Sequence, residues 1–216
     1  MKISGAIFDL DGTLTDSMYV WRVVGVKFLQ TFGITPSEDL WERTKNLTTE
    51  QTIELFKSEY GIVWTDEEIR VGINNLVGQM YREEVLPKNG VKELLEMFRE
   101  RGVKMCVASA TDGYLVDLVL RKNGMRDYFS RIISCNNIGR GKDSPAIYES
   151  ALEHLGTPKR ETLVFEDAFF ALRTAKEAGF PVVGVYDPTE THADGMRELS
   201  DYYIMDYGAD KALFTG

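Results

Sequence analysis

The feature that most constrains this chain is an alternation. Short apolar runs, partly β-branched, recur along it, and between them apolar residues repeat at helical spacing. Residues 3–8, 103–108, 131–134, 162–165 and 181–185 read as strands, with 202–204 as a sixth. Val91, Leu94, Leu95 and Phe98 stand at i, i+3, i+4 and i+7, one apolar face of a helix. Leu115, Leu118 and Val119 repeat the pattern. Ser144-Pro145 opens a helix that runs to Leu155, and residues 168–178 form another. Gly102, Gly124, Gly156 and Gly179 follow where a C-terminal glycine belongs. Such alternation predicts an α/β fold, a Rossmann-like parallel sheet with helices on both faces.

One stretch breaks the rule. Residues 17–87 carry helix signals and no convincing strand. Thr35-Pro36-Ser37-Glu38, Thr48-Thr49-Glu50-Gln51 and Thr65-Asp66-Glu67-Glu68 all read as capping boxes. After the last, Ile69, Ile73, Leu76, Val77 and Met80 line one helix face. A small helical domain over 17–87 is expected, inserted into an α/β domain built from 1–16 and 88–216. The joints, 11–17 and 87–90, hold residues suited to turns.

Composition narrows the function. Of 216 residues, 44% are hydrophobic, enough for a real core. Lys plus Arg is 25 against 34 Asp plus Glu, a net charge of −9. A chain this acidic has no general attraction for nucleic acid or anionic lipid, so any phosphate it handles needs a local pocket. Two cysteines, Cys106 and Cys135, make no disulfide framework and point to a reducing cytoplasm. The first apolar run is too short for a signal peptide, and no run of about 18 apolar residues exists to span a membrane.

The chemistry concentrates at strand ends. Phe8-Asp9-Leu10-Asp11-Gly12-Thr13 closes the first strand with two carboxylates two residues apart. The C-terminal edge of a parallel sheet is where open α/β folds place ligands. Taken alone, the segment could be a turn capping a helix. Ser109 ends the next strand ahead of the backbone amides at a helix start, a natural grip for phosphate oxygens. Lys142 precedes another helix, and Glu166-Asp167 ends a further strand. Each has a bland reading by itself: a strand-end serine, a surface lysine, acids favouring a helix dipole. Together they converge on one edge of one sheet. Asp9 and Asp167 would make a hard-oxygen site for Mg²⁺, with Ser109 and Lys142 holding an anionic group beside it.

In these four motifs, in this order and context, the chain resembles the haloacid dehalogenase superfamily. The likeness is to the branch with a helical cap after the first strand, the phosphatase and β-phosphoglucomutase-like hydrolases. It spans nearly the whole chain and says little about the substrate. The resemblance implies that Asp9 is the nucleophile and forms an aspartyl-phosphate, while Asp11 is the general acid and then base. It implies a Mg²⁺ site from Asp9, the Asp11 backbone carbonyl and Asp167, with Glu166 acting nearby. It implies that Ser109, the Ala110 amide and Lys142 hold the transferring phosphoryl oxygens. The expected partner is a small phosphate ester, with no nucleic acid or membrane, on a monomer or weak dimer.

The chain also departs from the pattern. The family usually continues Glu-Asp with Ser and has Gly three residues later, where Ala168 and Ala171 stand here. Asp143 follows Lys142 where Pro is common. A mutase-type histidine would fall at Trp21 and a phosphate-clamping arginine near Thr49, so neither is present, although Arg43 or Lys45 could offer a second anion site. Met18, Tyr19 and Trp21 read as part of the helical domain's own core. His154 and His192 read as surface residues. A phosphomutase is the nearest alternative, and a phospho-acceptor regulatory module a more distant one. A true dehalogenase is disfavoured, because that chemistry needs neither a metal nor a second Asp.

Overall fold

β-Branched and aromatic residues with apolar side chains on both faces make strands that must be covered on both sides. A computed structural model describes residues 2–44, 47 and 49–214 and bears this out. The strands, in chain order, are β1 (Gly5–Phe8), β2 (Thr15–Asp16), β3 (Leu86–Pro87), β4 (Lys104–Ser109), β5 (Ile132–Ser134), β6 (Thr162–Glu166), β7 (Val182–Val185) and β8 (Tyr202–Ile204). Six of them form one sheet in the order β5-β4-β1-β6-β7-β8, every pair parallel. All six expected strands are present. β1 lies at the centre, flanked by β4 and β6, which brings the three motif-bearing strand ends side by side.

The period-two alternation along the strands divides the core into two faces. On one, Ile7, Cys106, Ala108, Val164 and Val182 pack with Ile147, Tyr148, Ala151 and Leu172 from the covering helices. On the other, Phe8 stacks on Phe165 with ring centres 4.2 Å apart, and Phe98, Phe129 and Phe214 meet them edge-on or tilted. Cys106 and Cys135 are buried and free of any disulfide. Burial pushes the Cys106 thiol up to about 12, so it is an inert core residue.

β2 and β3 are a correction to the sequence reading. They pair antiparallel as a short ribbon where the chain leaves and re-enters the α/β unit, a stretch read as turn and helix. Two residues per strand carry too little periodicity to be legible.

The chain divides into two compact units, one of residues 1–16 and 85–216 and the other of 17–84. The second is helical: Met18–Gln30, Leu40–Thr44, Thr49–Tyr60 and Asp66–Glu83. Its own core gathers Phe28, Leu29, Leu40, Ile53, Phe56, Ile62 and Ile69. The Thr65 capping box forms as expected. Thr65 Oγ1 accepts from the Glu68 amide at 3.2 Å, and the Thr65 amide donates to Glu68 Oε2 at 2.8 Å. The Thr35 box does not open a helix. Ser37 and Asp39 carbonyls accept from Leu40 and Arg43, and the helix begins only at Leu40. Thr48 and Lys45 lie outside the described residues. Met18 and Trp21 are half-buried, Tyr19 is exposed, and the helix instead turns Val20, Val24, Phe28 and Leu29 inward. Arg43 is engaged in two hydrogen bonds to the Glu59 carboxylate, at 2.5 and 2.6 Å, rather than offered to an anion. No helix among the described residues is long and apolar enough to cross a membrane.

Candidate active site

After Phe8 the chain must leave the sheet edge at once. It does so by wrapping about one carbonyl: Leu10 O accepts from the amides of Thr13, Leu14 and Thr15 and from Thr15 Oγ1. Gly12 sits at φ 79°, a conformation that side chains disfavour, and this lets the loop close. Asp9 itself is held to the neighbouring strand, its amide donating to Phe165 O at 3.0 Å. The result fixes Asp9 and Asp11 at the C-terminal edge of the central strand.

Asp9, Glu166 and Asp167 come together there. Each offers a carboxylate oxygen, and the three oxygens lie within 4.8 Å of one another. Lys142 reaches in from the loop after β5, with Nζ 2.5 Å from Asp9 Oδ1 and 2.6 Å from Glu166 Oε1. All four are buried: Asp9 is 7% exposed, Lys142 6%, Asp167 5% and Glu166 1%. The Asp11 carboxylate is not in this group. It accepts a hydrogen bond from Thr111 Oγ1 at 2.7 Å. Ser109 is buried, and its hydroxyl accepts from the Thr111 amide at 3.1 Å. Ala110 is exposed beside it at the strand end.

The electrostatics are out of balance by design of the sequence. Burial raises the Asp9 carboxyl above its usual range, opposed by Lys142 and reinforced by Asp11. Burial pushes Glu166 up to about 7, with Lys142 opposing and Asp9 adding to it. Asp167 is raised well above the usual range by burial and then by Asp9, Glu166 and Asp187. Burial works against the charge of Lys142, but Asp9 and Glu166 outweigh it and hold the ammonium charged. Three buried acids thus face one buried cation. A further positive charge bound by hard oxygens relieves that excess, so the donor set fits Mg²⁺.

Three contributors were not assigned from sequence. Thr111 is one; its place two residues after Ser109 at a strand end was the available signal. Tyr148 is another: its hydroxyl donates to Glu166 Oε1 at 2.7 Å from inside the core. A tyrosine on an otherwise apolar helix face needs a polar partner, and that was the clue. Thr13, quoted within the first motif, donates from Oγ1 to Asp167 Oδ1 at 3.2 Å, and its carbonyl accepts from Tyr207 at 3.1 Å. Nothing near Tyr207 in sequence pointed there.

The Ala168 departure has a structural counterpart. The helix after Asp167, Phe169–Glu177, starts without a side-chain cap of its own. Glu190, from the loop after β7, accepts from the Phe169 amide through Oε2 at 2.9 Å.

Comparison with known proteins agrees with this geometry. The profile of the haloacid dehalogenase-like hydrolase family matches residues 6–185. The chain is 24% identical to the phosphorylated carbohydrates phosphatase of Thermotoga maritima, over 91% of this chain and 90% of that one. It is 25% identical to the β-phosphoglucomutase of Bacillus subtilis, over 85% and 83%. In fold it is similar to the crystal structure of CbbY from Rhodobacter sphaeroides in complex with phosphate, with a TM-score of 0.83 at 21% identity, over 95% of each chain. Phosphatases and a phosphomutase recur among its relatives, beside the (S)-2-haloacid dehalogenase 2 of a Pseudomonas species, 26% identical over 94% of this chain and 92% of that one. With the family profile covering most of the chain and the acidic cluster in place, this protein belongs to the haloacid dehalogenase-like hydrolase family.

Proposed function

We propose that the protein is a Mg²⁺-dependent phosphatase that hydrolyses a small phosphomonoester through an aspartyl-phosphate on Asp9. The observation that carries the reading is the buried group of Asp9, Glu166 and Asp167 with Lys142 across it. An anionic nucleophile attacking an anionic ester needs fixed positive charge and exclusion of water more than elaborate covalent chemistry. Mg²⁺ held by Asp9, Asp167 and the Asp11 carbonyl, with Glu166 beside it, would supply charge neutralisation there. Asp9 attacks phosphorus and the ester oxygen leaves. Asp11 gives that oxygen its proton and later takes one from the attacking water. The Thr111 hydroxyl orients the Asp11 carboxylate for that work. Ser109, the Ala110 amide and Lys142 steady the phosphoryl oxygens, and Lys142 also fixes Asp9 in position. The helical unit, 17–84, would be the element that selects the leaving group.

Phosphate release from a broad panel of phosphomonoesters, with Mg²⁺ and with chelator, tests this. Mg²⁺-dependent release is expected, best with sugar or polyol phosphates. No release from any ester, or release unaffected by chelator, contradicts it. The likeness to a β-phosphoglucomutase keeps a mutase as the second reading. It is told apart by a requirement for a bisphosphate primer and by recovery of the phosphoryl group in the organic product.

A further inference from the structure

The strand-to-helix turn after β6 carries Asp167, and two residues later a helix must begin. Its first amides need acceptors. Residue 168 is alanine, which has none to give, and no side chain adjacent in sequence takes the role. The acceptor arrives from a distant loop: Glu190 Oε2 lies 2.9 Å from the Phe169 amide. A carboxylate at this position also meets the positive end of the helix dipole.

That loop is built to hold Glu190 in place. The Glu190 amide donates to Asp187 O at 3.2 Å, closing a turn over Pro188 and Thr189. Asp187 Oδ1 accepts from the Thr189 amide at 3.0 Å and from Thr189 Oγ1 at 2.7 Å. Asp187 Oδ2 accepts from Lys88 Nζ at 3.1 Å, and the same ammonium donates to Tyr186 O at 2.8 Å. The other oxygen of Glu190, Oε1, accepts from the His192 amide at 2.6 Å. The His192 ring lies parallel to Phe169, with centres 5.5 Å apart. Gly195 leaves room for Phe169: a Cβ there would come within 2.8 Å of its ring. The Lys88 and Thr189 contacts brace the loop, while Glu190, His192 and Gly195 meet Phe169 at the start of the helix that follows Asp167.

We infer that Glu190 is a positioning residue for the cation site, a cap supplied from another part of the fold that fixes the turn bearing Asp167. The inference rests on the reading above that Asp167 helps bind Mg²⁺. Groups hydrogen-bonded directly to metal ligands change affinity about 10–100-fold when removed; Glu190 acts one step further out, through the Phe169 amide, so the low end, about tenfold, is expected here.

The experiment is calorimetric titration of the full chain with Mg²⁺ alone, with thermal unfolding in chelator run beside it. Four proteins are compared: wild type, Glu190→Ala, Glu190→Gln, and Glu190→Ala combined with Ala168→Ser. The expected result is an affinity about tenfold weaker in Glu190→Ala. Glu190→Gln, whose single amide oxygen can still accept from the Phe169 amide at the expense of the His192 contact, recovers most of the lost affinity. Ala168→Ser, which supplies a local cap, restores the Ala variant. Unchanged affinity in Glu190→Ala overturns the inference. So does a loss that neither glutamine nor the added serine recovers, since Glu190 would then act through charge or loop packing. Should Glu190→Ala fail to fold, a double variant that folds and binds Mg²⁺ supports the cap, and one that stays unfolded overturns it. A wild type that binds no Mg²⁺ removes the reading of the cluster itself, and this inference with it, whereas a defect confined to the variants concerns Glu190 alone.

Discussion

Two sets of ion pairs in this molecule look alike on paper and do different work. In the helical unit, Arg43 meets Glu59 at 2.5 Å, and Arg70 meets Glu50 at 3.2 Å, all partly open to water. In the α/β unit, Lys142 meets Asp9 and Glu166 at similar distances, but with at most 8% of any side chain exposed. Solvent screens the first set, and such pairs contribute little to stability. The second set is dry, so its charges cannot relax into water, and an unmatched carboxylate there is costly. What the difference teaches is that the buried set is poorly accounted for by stability, which supports the chemical role proposed for it. A fold seeking only stability would fill that pocket with apolar side chains.

The sharpest way to break this comparison is to remove the buried cation. Lys142→Met should abolish measurable turnover and, in chelator at neutral pH, destabilise the fold by about 3–5 kcal/mol. A stable, active Lys142→Met protein would place the cluster among ordinary surface pairs. A smaller effect is expected from Tyr148→Phe. The substitution removes the hydroxyl that donates to the Glu166 carboxylate inside the core, at a cost of about 1.5–3 kcal/mol by chemical denaturation. No change in midpoint would show that Lys142 alone holds Glu166.

The pH dependence follows from Glu166. Its folded-state value of about 7 lies above its ordinary 4.5, so the folded state binds the proton more tightly than the unfolded chain. That contribution to stability is fully present below about pH 4.5 and is lost as pH rises through about 7. In chelator, the melting temperature should therefore fall from about pH 5 to about pH 8, and Mg²⁺ should flatten the decline. A melting temperature in chelator that rises over this window would contradict the sign. At the other end of the scale, Arg43→Ala should leave both melting temperature and turnover unchanged, because its Glu59 partner stays solvated.

Much of this was legible in sequence, for identifiable reasons. The six sheet strands showed through because buried parallel strands are short continuous apolar runs, and the helices between them have strong periodicity. Asp9, Glu166 and Asp167 could be placed together because each stands at or just beyond a strand end, and a parallel sheet puts those ends on one edge; Lys142 joined them from the connection between a strand and its covering helix. What escaped depends on tertiary approach. Tyr148, Tyr207 and Glu190 reach the site or its support from the first turn of a helix, the C-terminal segment and a loop, and no local pattern says which partner each meets. Thr35 misled because a capping-box pattern is a common sign of a helix start and not a sufficient one. A backbone turn from Ser37 to Leu40 stands where that helix start was expected.

The central claim is that Asp9 carries the phosphoryl group in transit. The direct measurement uses Asp11→Asn, which keeps the nucleophile and removes the acid and base that complete the cycle. The variant is mixed with Mg²⁺ and an activated, radiolabelled phosphomonoester, quenched in acid and mapped by peptide. Label on the peptide containing Asp9, absent when Asp9 is also changed to Asn, is the predicted result. Label on another residue, or wild-type turnover with no trapped label in the variant and undiminished release by Asp9→Asn, would contradict the account.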